Sequence, residues 1–130
     1  MTAITHGVHH VGLTVHDPQQ AADFFVEALG FQHAGARPAA RFVSDGQVLL
    51  TLWAAEPAAR DFARYGAIGL HHLALRLHPD AELDAVCAAL AARPDVTLEF
   101  APEDLGASGL RHCMLTGPSG LRLELVASAT

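Results

Sequence analysis

The 130-residue chain contains no lysine; all eight of its basic residues are arginine. Without that amine there is no Schiff-base nucleophile and no P-loop cation, so two reaction classes drop out. The arginines are scattered and the net charge is −6. Binding to nucleic acid or to an anionic membrane needs concentrated positive charge, so neither is expected as a partner. Only two cysteines are present, Cys87 and Cys113, far apart and without Cys-x-x-Cys spacing. That argues against a disulfide framework and a thiolate zinc site, and both residues read as buried small hydrophobes. No apolar run approaches the ~20 residues of a membrane span, and Met1-Thr2-Ala3-Ile4-Thr5-His6 lacks a charged-then-apolar signal pattern. The expectation is a cytoplasmic protein whose partner is a small neutral or modestly anionic molecule.

What the chain does have is a repeat. His9-His10-Val11-Gly12-Leu13-Thr14-Val15 near the start returns as His71-His72-Leu73-Ala74-Leu75-Arg76-Leu77 past the middle. Each doubled histidine opens a run of period-two hydrophobicity, and each run is followed by His and Asp (His16-Asp17; His78-Pro79-Asp80) and then by an Ala-rich helical pattern. With 51% hydrophobic residues the chain can bury a core of its own, about one domain's worth.

The segments follow from this plan. Residues 9 to 15 predict a strand. Asp17-Pro18 supplies an N-cap with proline at the first helical position, and Ala21, Ala22, Phe24, Phe25, Ala28 and Leu29 keep helical spacing until Gly30. Three extended stretches follow, Phe31 to Arg37, Ala40 to Ser44 and Gln47 to Trp53, the last two separated by the turn signal Asp45-Gly46. The segment Glu56 to Ala67 is a polar connector predicted to be helical. The second module repeats the order with a strand from His71 to Leu77, a helix through Leu83, Val86, Cys87 and Leu90 that ends at Arg93-Pro94, and strands at Val96 to Ala101, Leu110 to Thr116 and Leu121 to Ala127. Ala101 to Gly109 reads as a loop, with a lid as the alternative. The fold class is therefore α+β, two βαβββ modules in tandem: module one at about 7–55, a connector at about 56–68 and module two at about 69–127, within a single domain spanning 1–130.

Alternation decides which histidine of each pair matters, because neighbouring side chains on a strand point to opposite faces. Val11, Leu13 and Val15 share a face with His9, and Leu73, Leu75 and Leu77 share one with His71. The aliphatic face is the one covered by helices, which turns His10 and His72 to the other, concave side. The same rule places Arg122 and Glu124 there from the last strand. If a pseudo-twofold relates the modules, Leu123-Glu124-Leu125 corresponds to Leu50-Thr51-Leu52, which brings Thr51 to the fourth equivalent position. Two imidazoles and one carboxylate (His10, His72 and Glu124) with positions left open form a ligand set suited to a catalytic divalent metal: Fe(II), Mn(II), Ni(II), Co(II) or Zn(II). Arg76 and Arg122 are placed to hold a substrate carboxylate. Trp53 and Phe42 are available to line the pocket.

These motifs resemble the vicinal oxygen chelate superfamily, which includes glyoxalase I, bleomycin-resistance and fosfomycin-resistance proteins, methylmalonyl-CoA epimerase and extradiol ring-cleaving dioxygenases. The resemblance rests on the run from His10 to Asp17, on Phe24-Phe25 and Leu29-Gly30-Phe31, on His72 to Leu75 and on Gly117-Pro118-Ser119-Gly120-Leu121-Arg122-Leu123-Glu124-Leu125. It implies a curved mixed sheet around a concave metal-site groove, His10, His72 and Glu124 as metal ligands, and a homodimer. It implies a glyoxalase-like enzyme of the lyase or isomerase type, with Glu124 as ligand and proton-moving base, acting on a small substrate that chelates the metal through neighbouring oxygens. Glyoxalase I usually carries an acid or amide where this chain has Thr51. Two rivals follow from the same resemblance: an Fe(II) ring-cleaving dioxygenase, for which Tyr65 is the only tyrosine and His112 a substitute for the accompanying acid-base His, and a metal-free drug or metabolite binding protein.

Overall fold

The computed structural model describes residues 2–128. The chain divides into two compact units, Met1–Ala59 and Arg60–Thr130, each built as βαβββ. The first holds β1 (His10–Val15), α1 (Pro18–Leu29), β2 (Gln32–Arg37), β3 (Ala40–Ser44) and β4 (Leu49–Ala54); the second holds β5 (Leu73–Arg76), α2 (Leu83–Ala91), β6 (Thr97–Asp104), β7 (Leu110–Thr116) and β8 (Arg122–Ser128). The sheets have equivalent orders, β1-β4-β3-β2 and β5-β8-β7-β6. In each, the first strand runs parallel to the last and the other pairings are antiparallel. Among the described residues no helix is long and apolar enough to cross a membrane.

In the first unit the Asp17 carboxylate accepts from the backbone N–H groups of Gln19 and Gln20 at 3.0 and 3.1 Å, satisfying two orphan donors at the start of α1. Gly30 ends the helix at φ 75°, a left-handed conformation that costs glycine little, and Phe31 N–H closes back onto the Phe25 carbonyl. Phe24 and Phe25 are fully buried and pack edge to face with centroids 5.4 Å apart, with Phe31 5.3 Å from Phe25. Beneath α1 lie Val43, Leu50 and Leu52, all fully buried. In the second unit Leu83, Cys87 and Leu90 of α2 and Cys113, Leu115, Leu123 and Leu125 of the sheet form the buried core. Both cysteines are free and buried. Burial, with Cys87 beside it, pushes the Cys113 thiol up to about 12, so it stays protonated near neutrality.

Two expectations need correction. The connector is not helical; residues 60 to 72 are turns, bends and irregular backbone. A helix this short needs packing to persist. Here Phe62 N–H donates to the Ser119 carbonyl at 3.0 Å instead of closing a helical turn, and Tyr65 and Ile68 face solvent. The loop expected from Ala101 is also shorter, because β6 continues to Asp104, pairing Glu103 with His112 and Asp104 with Arg111 after register shifts near Phe100. Pro102 is tolerated because β6 is an edge strand, where a missing N–H breaks no central ladder.

Candidate functional site

In the first unit, Gly12 of β1 stands opposite Thr51 of β4, and Thr14 opposite Trp53. A Cβ on Gly12 would lie 3.2 Å from Thr51 Oγ1, so the missing side chain makes room for that hydroxyl. The Trp53 indole N–H donates to Thr51 Oγ1 at 3.0 Å, fixing the indole across the face. Thr51 is buried while Trp53 keeps 42% exposure, with the Phe42 ring 6.4 Å away. His10 is exposed at the start of β1. Its Nδ1 lies 2.8 Å from His9 Nδ1, and the two rings are nearly perpendicular, 5.1 Å apart.

In the second unit the predicted pair does meet. His72 Nε2 lies 3.1 Å from Glu124 Oε1. Glu124 is 7% exposed and is one of two buried polar residues among those described, Thr51 being the other. Its second oxygen, Oε2, is 2.5 Å from His112 Nδ1. A carboxylate at this site only accepts, so His112 carries its proton on Nδ1. The His112 ring packs on Phe100 at 4.9 Å, and its Nε2 faces Glu103 at 3.6 Å. Glu124 thus sits between two imidazoles on the face away from α2, as alternation requires: Leu123 and Leu125 are buried on the helix side.

The doubled histidine recurs with the same geometry. His71 Nδ1 lies 2.8 Å from His72 Nδ1, ring centroids 5.1 Å apart. His71 also receives the Tyr65 ring at 4.8 Å and faces Arg122 Nη1 at 3.4 Å. Partial burial, then the charge of Arg122, holds His71 below the ordinary histidine range.

The two arginines expected to clamp a carboxylate have separate surroundings. Arg122 forms a bidentate pair with Glu99, Nε to Oε1 at 2.9 Å and Nη2 to Oε2 at 2.6 Å, and Arg64 adds a third contact at 3.0 Å. Arg76 is exposed at the end of β5, four residues on from His72, which precedes the strand, about 13 Å of extended chain. It lines a cavity of about 270 Å³ together with His78, Glu82, Asp84 and Arg111. Glu99, which no sequence pattern singled out, is the residue that occupies Arg122.

Hydrogen bonds from Arg122 hold the Glu99 carboxyl at about 2, below its ordinary 4.5. A folded-state value below the unfolded one means the stabilisation is complete above about pH 4.5 and is lost as pH falls toward 2. Glu99→Gln is therefore expected to lower stability by about 1 kcal/mol near neutrality, a figure reduced by solvent screening of this one-third-exposed group. Urea midpoints of wild type and variant should converge as the pH is taken from 6 to 2.5. A gap that stays constant with pH would refute the assignment.

The geometry of the His72–Glu124 pair is compatible with a divalent metal. Ligands held ~2.1 Å from one ion at right angles stand about 3.0 Å apart, close to the 3.1 Å between His72 Nε2 and Glu124 Oε1. Among the described residues no three His, Cys, Asp or Glu side chains cluster as a metal cage. The pair supplies two ligands, and His112 engages the other carboxylate oxygen.

A family model described as the Glyoxalase/Bleomycin resistance protein/Dioxygenase superfamily matches residues 7–125. Crystal structures of similar fold include lactoylglutathione lyase from Agrobacterium tumefaciens, at 19% identity and TM-score 0.73 over 98% of this chain and 97% of that one. A glyoxalase family protein from Enterococcus faecalis matches at 25% identity and TM-score 0.72, over 92% and 96% of the two chains. A glyoxalase/bleomycin resistance protein/dioxygenase from Nocardioides matches at 22% identity and TM-score 0.67, over 98% and 86%. No curated protein sequence matches the chain.

Proposed function

The chain belongs to the glyoxalase/bleomycin resistance protein/dioxygenase superfamily, and from that membership we propose that it is a glyoxalase-like, metal-dependent enzyme of the lyase or isomerase type. The observation that carries the reading is the approach of His72 Nε2 and Glu124 Oε1 at the spacing of neighbouring metal ligands. Of the three expected ligands, His72 and Glu124 lie together in the second module, and His10 stands exposed at the start of β1 in the first. A divalent cation (Fe, Mn, Ni, Co or Zn) would supply Lewis-acid polarisation to two neighbouring oxygens of a small substrate.

The chain's own residues do the rest. Glu124 moves a proton between adjacent carbons of the substrate. The His112 Nδ1–H holds Glu124 Oε2, which leaves Oε1 as the oxygen turned to His72. Trp53, locked through Thr51, offers an apolar wall with a fixed orientation. Arg76, exposed at the end of β5, is the arginine available for a substrate carboxylate, since the fork of Arg122 is held by Glu99. The protein acts as a cytoplasmic homodimer.

The test is metal content. Wild type purified from cells and reloaded in vitro is expected to hold about one divalent ion per chain, and His72→Ala to hold almost none. Equal metal in the two proteins would sink the reading. A ring-cleaving variant of the proposal is favoured by the positions of Tyr65, on the ring of His71, and His112, on Glu124. Oxygen uptake with formation of a yellow ring-opened product from a catechol, after anaerobic Fe(II) loading, would select it over the proton-transfer reading. Full ligand binding after chelation would select a metal-free binding protein.

A further inference from the structure

The first histidine of each doubled pair is unclaimed by the proposed metal chemistry, yet its geometry is repeated. His9 and His10 meet Nδ1 to Nδ1 at 2.8 Å, and His71 and His72 meet through the same atoms at the same distance. Both pairs hold their rings nearly perpendicular with centroids 5.1 Å apart. A contact that recurs in both modules, with one geometry, belongs to the motif itself.

At 2.8 Å one of the two nitrogens must carry a hydrogen and the other must be bare, because two lone pairs or two N–H groups would repel. The surroundings of His71 decide which. Arg122 Nη1 stands 3.4 Å from His71 Nδ1, and a guanidinium has donors only. His71 Nδ1 is therefore the bare nitrogen, and the hydrogen sits on His72 Nδ1. In the neutral ring, the form that ligates a metal, a hydrogen on Nδ1 leaves Nε2 bare. That nitrogen points at Glu124 Oε1 from 3.1 Å, and Glu124 Oε2 already accepts from His112. A bare nitrogen and a carboxylate oxygen so placed are complementary to a cation that both can ligate.

We infer that His71 is a positioning residue: it accepts the Nδ1–H of His72, fixes the ring and its tautomer, and so presents Nε2 as the ligating nitrogen. Arg122, itself anchored by Glu99, sets His71 as the acceptor, and the Tyr65 ring packs on it. The inference rests on the metal reading proposed above. Outer hydrogen bonds of this kind orient a ligating histidine and raise its basicity, and their loss weakens metal binding 10- to 100-fold.

The experiment uses the full chain and Zn(II), with dissociation constants from competition against a chromogenic chelator and with ring N–H signals of ¹⁵N-histidine-labelled zinc-loaded protein. Wild type is expected to bind zinc and to show a slowly exchanging Nδ1–H for His72. His71→Ala should weaken zinc binding by ~10- to 100-fold and lose that signal. His71→Asn, whose side-chain oxygen can stand where Nδ1 stood, should recover most of the affinity and the slow exchange. Zinc binding by His71→Ala as tight as wild type overturns the inference and leaves the metal reading intact. Equal losses in His71→Ala and His71→Asn also overturn it, because the ring's bulk would then matter and not its acceptor. A wild type without zinc affinity overturns both.

Discussion

Glu124→Gln is expected to lose divalent-metal affinity by more than ~100-fold, beyond the range set by outer-shell contacts, while keeping its fold. The amide has the shape of the carboxylate, so the buried position stays filled and His112 Nδ1–H still finds an oxygen to donate to. What disappears is the negative charge that faces His72 and on which the proposed metal site depends. Amide oxygen is a far weaker ligand than carboxylate for the first-row divalent metals that imidazole suits. Metal analysis of the purified variant, together with calorimetric titration by Co(II) or Zn(II), checks this. Circular dichroism should show wild-type secondary structure. A Glu124→Gln protein that retains full metal content removes Glu124 from the ligand set and, with it, the proton-transfer chemistry assigned to this residue.

How Glu124 and His72 came to be legible is a matter of strand parity. His71 and His72 are adjacent, so only one shares a face with Leu73, Leu75 and Leu77, and the same test on Leu123-Glu124-Leu125 turns Glu124 to that other face. The contact at 3.1 Å follows from two local rules and the pairing of β5 with β8. Helix α1 was legible for similar reasons, since Asp17, Pro18 and Gly30 act within a few residues of their own backbone. His112 was within reach of the same parity logic. The Gly117-Pro118-Ser119-Gly120 turn sets the register of β7 and β8, putting Met114 opposite Glu124 and His112 two residues further along on the same face. The partner of Arg122 was not legible. Glu99 lies on β6, two strands away from β8 in the sheet, beyond a hairpin with register shifts at Phe100. No local periodicity carries that displacement. The connector failed as a helix for the opposite reason: its composition allowed one, but its backbone finds a partner in the turn at Ser119.

The largest loss of stability is expected from Phe25→Ala. Phe25 is fully buried, touches Phe24 on one side and Phe31 on the other, and its carbonyl receives the N–H of Phe31 that closes the end of α1. Truncating such a side chain costs ~3–5 kcal/mol through lost transfer energy and the cavity left behind, with part of that from the edge-to-face ring contacts. The surrounding wall cannot collapse easily, because Val43, Leu50 and Leu52 are held in register by the β3–β4 ladder. A folded domain has only ~5–15 kcal/mol in total, so the variant should retain a native state with a much reduced margin. The chain's single tryptophan reads the right place, since Trp53 lies on β4 of the same unit. With a urea dependence of ~1–3 kcal/mol per molar, its fluorescence midpoint should fall by about 2 M. Trp53 sits on the face away from α1, so its native emission should be unchanged, and a shift in midpoint then reports stability alone. A midpoint within a few tenths molar of wild type would mean that the aromatic cluster beneath α1 is not what holds the first module together.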